Sequence, residues 1–146
     1  MFSKIKYLLL MVLITLAMSA SAEEIHQIKY ISTYDGDTIK VKIEIKDLPE
    51  VFSIISVRLR GIDSPEIRGN CPLEIEMAHF ARDNLAARLE TAEEIYLLDV
   101  KRDKYFRLLA NVIADGEDIG TWMLEKGLAV SYPGYGPKKN WCKQSI

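Results

Sequence analysis

Three short spans carry most of the side chains in this sequence that could do chemistry. VRLRGIDSPEIRGN, Val57 to Asn70, holds Arg58, Asp63 and Glu66. Upstream, YDGDT (Tyr34 to Thr38) offers Asp35 and Asp37 on a tight loop. Downstream, KRDKYFR (Lys101 to Arg107) mixes Lys101, Arg102, Lys104 and Arg107 with Tyr105 and Phe106. Asp37 and Asp63 are hard oxygen donors of the kind Ca²⁺ takes, with a backbone carbonyl and waters to complete the shell. A guanidinium such as Arg58 can grip an anion through two parallel hydrogen bonds. Each span also has a plainer reading. Arg58 and Glu66 fit a weak exposed ion pair, DGDT fits an ordinary hairpin turn, and 101–107 fits a solvated charged loop. DGDT is also too short for an EF-hand loop.

These residues cooperate only if the backbone brings the three spans together. In Thr38 to Ile45, Ile39, Val41, Ile43 and Ile45 alternate with Lys40, Lys42 and Glu44, which predicts a half-buried strand. Gln27 to Tyr34 is rich in β-formers, and Asp35-Gly36 is expected to join the two strands as a turn with φ > 0 at both central positions. Phe52 to Ile62 reads as a third strand, with Val57 and Leu59 facing opposite to Arg58 and Arg60. Pro65 cannot continue a central strand, so this one should end near Asp63 and leave Asp63 and Glu66 at the rim. From Pro72 to Leu89 the spacing of Ile75, Ala78, His79, Arg82, Leu85, Ala86 and Leu89 predicts an amphipathic helix, with Pro72 in its first turn. Glu94 to Val100 and Arg107 to Ala114 read as strands, with Asp115-Gly116 as a turn. Asp118 to Lys126 reads as a short helix with Gly127 as its cap. This order does not fit a βαβαβ sheet. It fits an α+β domain built on a small five-stranded Greek-key β-barrel of OB type, with packed helices. Fold alone decides nothing about chemistry.

The N-terminus reads as a signal peptide over residues 1–22. Lys4 and Lys6 precede an apolar run from Tyr7 to Met18, and Ala20-Ser21-Ala22 supplies the small residues of a cleavage site. That run is shorter than the ~20 apolar residues of a membrane span, and no cysteine at the cut suggests a lipid anchor. The domain then spans 23–146, exported to a periplasm or beyond the cell, with no membrane association after cleavage. No repeat or linker divides it, and nothing suggests an obligate partner, so a monomer is expected. The formal net charge is −2, and losing Lys4 and Lys6 makes it −4. Such a chain has no global field for polyanions, so nucleic-acid binding must come from a local basic site. Cys71 and Cys142 are the two cysteines. In an oxidising compartment they are expected to form a disulfide that ties the tail to the segment after Glu66. Neither His26 nor His79 lies at the spacing of a zinc finger.

In their order and intervals, YDGDT, VRLRGIDSPE and DKYFR resemble the staphylococcal nuclease (thermonuclease) family. The likeness runs from about Lys29 to Tyr132 and includes ADGEDIGTWMLEKGLA. It implies a Ca²⁺-dependent phosphodiesterase of DNA and RNA that leaves 3′-phosphate and 5′-hydroxyl ends. By position it implies Asp37 and Asp63 as metal carboxylates and Ser64 as the donor of a backbone carbonyl, where the family usually has Thr. Arg58 and Arg107 match the phosphate-binding arginines, and Glu66 matches the carboxylate that activates water. Asp35 matches an acid beside the metal, and Lys104 and Tyr105 match contacts to a terminal phosphate. The chain departs from the family's best-known member where Phe106 and Leu108 flank Arg107 in place of glycines. The likeness fades beyond Tyr132, where a long C-terminal helix is missing; Tyr132 and Tyr135 could stack on a base there or serve only the structure. The alternatives are a non-catalytic OB-fold module that binds nucleic acid, and a protein-interaction domain.

Overall fold

The computed structural model describes residues 26–43 and 53–143. The signal-peptide reading, Ile45 and Phe52 lie outside the described residues. Strands β1 (His26–Asp35), β2 (Thr38–Ile43) and β3 (Ile54–Leu59) form an antiparallel meander. A two-residue strand β4 (Ile62–Asp63) and helix α1 (Pro72–Glu90) follow, then β5 (Ile95–Arg102) and β6 (Leu108–Ala114). The chain ends through β7 (Glu117–Asp118), α2 (Ile119–Glu125) and β8 (Val130–Ser131). The main sheet runs β3-β2-β1-β5-β6-β7, and parallel pairing of β3 with β6 closes its first five strands into a barrel. This is the expected OB-type α+β barrel; the short β4–β8 ladder is an addition at its rim.

The period-two reading of β2 holds where it is described: Ile39 and Val41 are buried and Lys40 is exposed. Helix α1 is rotated from the expected stripe. Its buried positions are Glu74, Ala78, Ala81, Leu85 and Leu89, whereas Ile75, His79, Arg82 and Ala86 are only half-buried. The rotation brings an acid, Glu74, inside, where its carboxylate has backbone work described below. Leu85 and Leu89 pack into the barrel core, each stabilising the fold by about 1.5–3 kcal/mol through burial. Among the described residues no helix is long and apolar enough to cross a membrane.

Two turns differ from expectation. The β1–β2 turn is Gly36-Asp37, one residue later than Asp35-Gly36, and neither Asp35 nor Gly36 has positive φ. Gly36 is needed for space: a Cβ there would lie 2.7 Å from Ser64 Cβ and 2.9 Å from Ala81 Cβ. The expected third strand is broken at Gly61, whose φ of 79° lets the chain reverse between Leu59 and Ile62. Asp63 therefore belongs to β4, and β4 pairs with β8, Asp63 opposite Val130.

Candidate active site

The acids of the first two spans converge because the Gly36–Asp37 turn is bonded to the segment after β4. Asp35 Oδ1 accepts the Asp37 N–H at 3.1 Å. Asp37 Oδ2 accepts the Ser64 N–H at 3.0 Å, and Thr38 Oγ1 donates to Asp37 Oδ1 at 3.1 Å. Asp37 O in turn accepts from Leu59 N at 2.8 Å, fixing the turn to the end of β3. Arg58 lies between them: its Nη2 is 3.1 Å from Asp37 Oδ2 and 3.7 Å from Asp63 Oδ1. It also donates to Leu59 O at 3.0 Å and Ile62 O at 2.9 Å, so the guanidinium is held in one plane. Asp35, Asp37, Arg58, Asp63 and Ser64 are all buried.

Glu66 stands at the exposed edge of this cluster. Its N–H donates to Glu74 Oε1 at 3.4 Å, and the Asn70 N–H donates to Glu74 Oε2 at 2.8 Å. Buried Glu74 thus fastens both ends of the short loop that carries Glu66. The Cys71–Cys142 disulfide, with a Cα–Cα distance of 6.0 Å, lies directly after that loop. It brings the tail across the site. Lys138 Nζ sits 2.8 Å from Asp63 Oδ1 and 3.0 Å from Glu66 Oε1.

Arg107 stands outside this network. Its Nε donates to Asp103 Oδ2, and Asp103 N donates to Arg107 O at 2.9 Å, closing the 103–107 turn. The parallel register Val57↔Leu108 and Arg58↔Leu109 places Arg107 beside the strand that carries Arg58. Burial would raise the Asp103 pKa. The Arg107 hydrogen bond, a backbone hydrogen bond at Lys104 and the charges of Arg107 and Arg58 outweigh it and lower the pKa. Lys104 and Tyr105 are exposed on the turn, and the Arg107 guanidinium lies 5.8 Å from the centre of the Tyr105 ring. Tyr105 and Phe106 have φ of 62° and 56°. This is the left-handed region, which glycine occupies at lower cost, so Tyr105 and Phe106 carry backbone strain. Tyr132 donates to Gly136 O at 3.2 Å, and Tyr135 is exposed.

The cluster has more negative than positive charge. Asp35, Asp37, Asp63 and Glu66 face Arg58 and Lys138. Burial, followed by the charge of Asp37, raises the Asp35 pKa to about 7. Burial alone would lower the Lys138 pKa, but hydrogen bonding to Asp63 and Glu66 and their charges raise it well above the usual lysine range. Asp63 Oδ1 is buried and has no backbone or hydroxyl donor; the Lys138 ammonium at 2.8 Å and Arg58 Nη2 at 3.7 Å are the cations that face it. Surplus carboxylate around a buried oxygen that no backbone N–H meets is what a hard divalent cation fits, with Asp37 and Asp63 as the residues that would hold it.

Lys138, Glu74 and Asp103 were not among the site residues expected from sequence. Lys138 and Glu74 had a signal in the cysteine pairing, which brings PKKNWC and the start of α1 to the Glu66 loop. Asp103 lies inside the charged span KRDKYFR but carries the opposite sign to its neighbours.

A family model described as staphylococcal nuclease homologue matches residues 56–145. A probable endonuclease of Schizosaccharomyces pombe is 34% identical over 108 residues, covering 60% of this chain and 43% of the relative. The chain thus spans less than half the length of that curated relative.

Proposed function

The chain belongs to the staphylococcal nuclease homologues, and on that premise we propose that it is an exported, Ca²⁺-dependent nuclease. Its substrates are DNA and RNA, cut with little sequence preference to leave 3′-phosphate and 5′-hydroxyl ends. Export rests on the N-terminal run of residues 1–22. The observation that carries the activity is the convergence of Asp37, Asp63 and Arg58 on one buried point with Glu66 at its open edge.

A bound calcium ion would supply positive charge beside the phosphate and draw electron density from its oxygens. Asp37, Asp63 and the Ser64 backbone would hold it. Arg58, locked by two backbone carbonyls, presents a rigid guanidinium to a non-bridging oxygen as charge builds there. Arg107 is the second guanidinium, and its bond to Asp103 sets the direction in which it extends. Glu66 accepts the proton of the attacking water at its carboxylate. Lys104 and Tyr105, exposed on the adjoining turn, would meet the rest of the strand.

Purified protein incubated with plasmid and single-stranded DNA tests this reading. Cutting that needs Ca²⁺ and stops with EGTA supports it. Binding of single strands without cutting would identify a non-catalytic binding module instead, and neither binding nor cutting would end the nucleic-acid reading.

A further inference from the structure

We infer that Lys138 is an additional residue of the metal site, a built-in cation that competes with the divalent ion for Asp63 and Glu66. The inference rests on the metal-site reading above. Lys138 comes from the irregular segment after β8, where residues 133–140 are all exposed. Its ammonium nevertheless reaches inward to Asp63, which is 1% exposed, and bridges it to Glu66 at 2.8 and 3.0 Å. The neighbouring Lys139 has a different partner, with its ammonium 4.4 Å from the centre of the Trp141 ring. Trp141 is buried, and Cys142 is tied to Cys71. The tail is therefore fastened just beyond Lys138 by a ring and a covalent bond, and the strap can set its lysine over the acids without a helix of its own.

An ammonium in contact with Asp63 Oδ1 and a divalent ion bound to that oxygen would lie only a few ångströms apart, and their repulsion excludes joint occupancy. The Lys138 side chain is about half exposed at 47%, so it can swing into water when the ion arrives. Lys138 then lowers the fraction of protein ready for metal, and apparent affinity falls by that fraction. The half-exposed pair points to an effect of up to about fivefold.

The test is calorimetric Ca²⁺ binding to the full chain without nucleic acid, comparing the parent with K138Q, K138R and the double change C71S/C142S. K138Q keeps the stem and loses the charge, and it should bind Ca²⁺ tighter by the stated factor. K138R should stay near the parent. Opening the disulfide should raise the parent's affinity toward that of K138Q and add little to a protein that already carries K138Q. Parent and K138Q binding Ca²⁺ equally, K138Q binding it more weakly, or K138R gaining as much as K138Q would each overturn the role of Lys138 while leaving the metal site standing. No uptake by either protein at millimolar Ca²⁺ would overturn both.

Discussion

Changing Arg58 to Ala tests the charge logic of the site apart from catalysis. The guanidinium is the nearest positive partner of Asp37, at 3.1 Å, and a second one for Asp63, at 3.7 Å. It also bonds two backbone carbonyls. At an effective dielectric constant near 20 each of these charge contacts has a gross strength of about 4–5 kcal/mol. Desolvating the three groups offsets much of that, so the gross figure is not the net one. Removing one partner of a buried pair leaves the other uncompensated, which typically costs about 3–5 kcal/mol. In EGTA the R58A protein should therefore be less stable than the parent by that amount, a fall of roughly 12–20 °C at ~4 °C per kcal/mol. Ca²⁺ should restore part of the loss, because it neutralises the same carboxylates. R58K should fall between the two, since an ammonium can reach one acid but not hold two acids and two carbonyls together. Urea unfolding with and without Ca²⁺ reads all of this out. An R58A protein within 1 kcal/mol of the parent in EGTA would refute the claim that this guanidinium balances the buried acids.

Three further outcomes follow from the same geometry. Glu66→Gln should slow cleavage by ~10²–10⁴ with stability nearly unchanged, because Glu66 is exposed and its loop is held through its backbone; equal rates in a plasmid assay would remove it as the base. C71S/C142S should lose about 4 kcal/mol in urea titration, from a bridge spanning a sequence separation of 71; an unchanged midpoint under oxidising conditions would show that the bridge does not constrain the unfolded chain. In metal-free protein, Asp35 has a folded pKa of about 7 against 3.8 for the ordinary carboxyl. The folded state then holds more protons between those values than the unfolded chain. Stability should fall as pH rises from about 4 to about 7, by up to ~1.4 kcal/mol per unit, and D35N should lack the fall. A parent curve that rises through that window would contradict the burial and Asp37 repulsion assigned to Asp35.

How much could be read from the sequence depended on whether the deciding contact was local. Strand β2 and helix α1 announced themselves because periodicity is a property of neighbours along the chain. The parallel closure of β3 on β6 left no such mark, since Val57 and Leu108 meet only in the finished barrel. Gly36 shows the same limit. A glycine beside aspartate reads as a residue chosen for positive φ, but here it is small because Ser64 and Ala81 crowd it. In the site, Asp37, Arg58, Asp63 and Glu66 were picked out through the family resemblance of their spans, since each span alone also read as a plain turn or surface pair. Arg107 was legible as a residue but not in its pairing with Asp103. The inward turn of Glu74 was hidden because helical spacing favours apolar residues, and this acid is buried to serve backbone N–H groups rather than to fill a core.

That burial explains why so much of the chain is committed to the rim of one barrel. A carboxylate removed from water is tolerated when its oxygens are met by fixed donors, and each acid here receives them from a different element. Asp37 takes donors from the segment after β4 and from Arg58 on β3, and Glu74 takes them from the loop before α1. Asp63 is the exception: its Oδ1 is met by the Lys138 ammonium and the Arg58 guanidinium and by no backbone N–H. A fold that leaves this oxygen to two cations, among surplus negative charge, keeps part of its stabilisation available to a ligand. Any cation that binds this state and not the unfolded chain must stabilise the protein in proportion to its affinity. Under the proposed Ca²⁺ binding, metal affinity and folding stability are linked through Asp63.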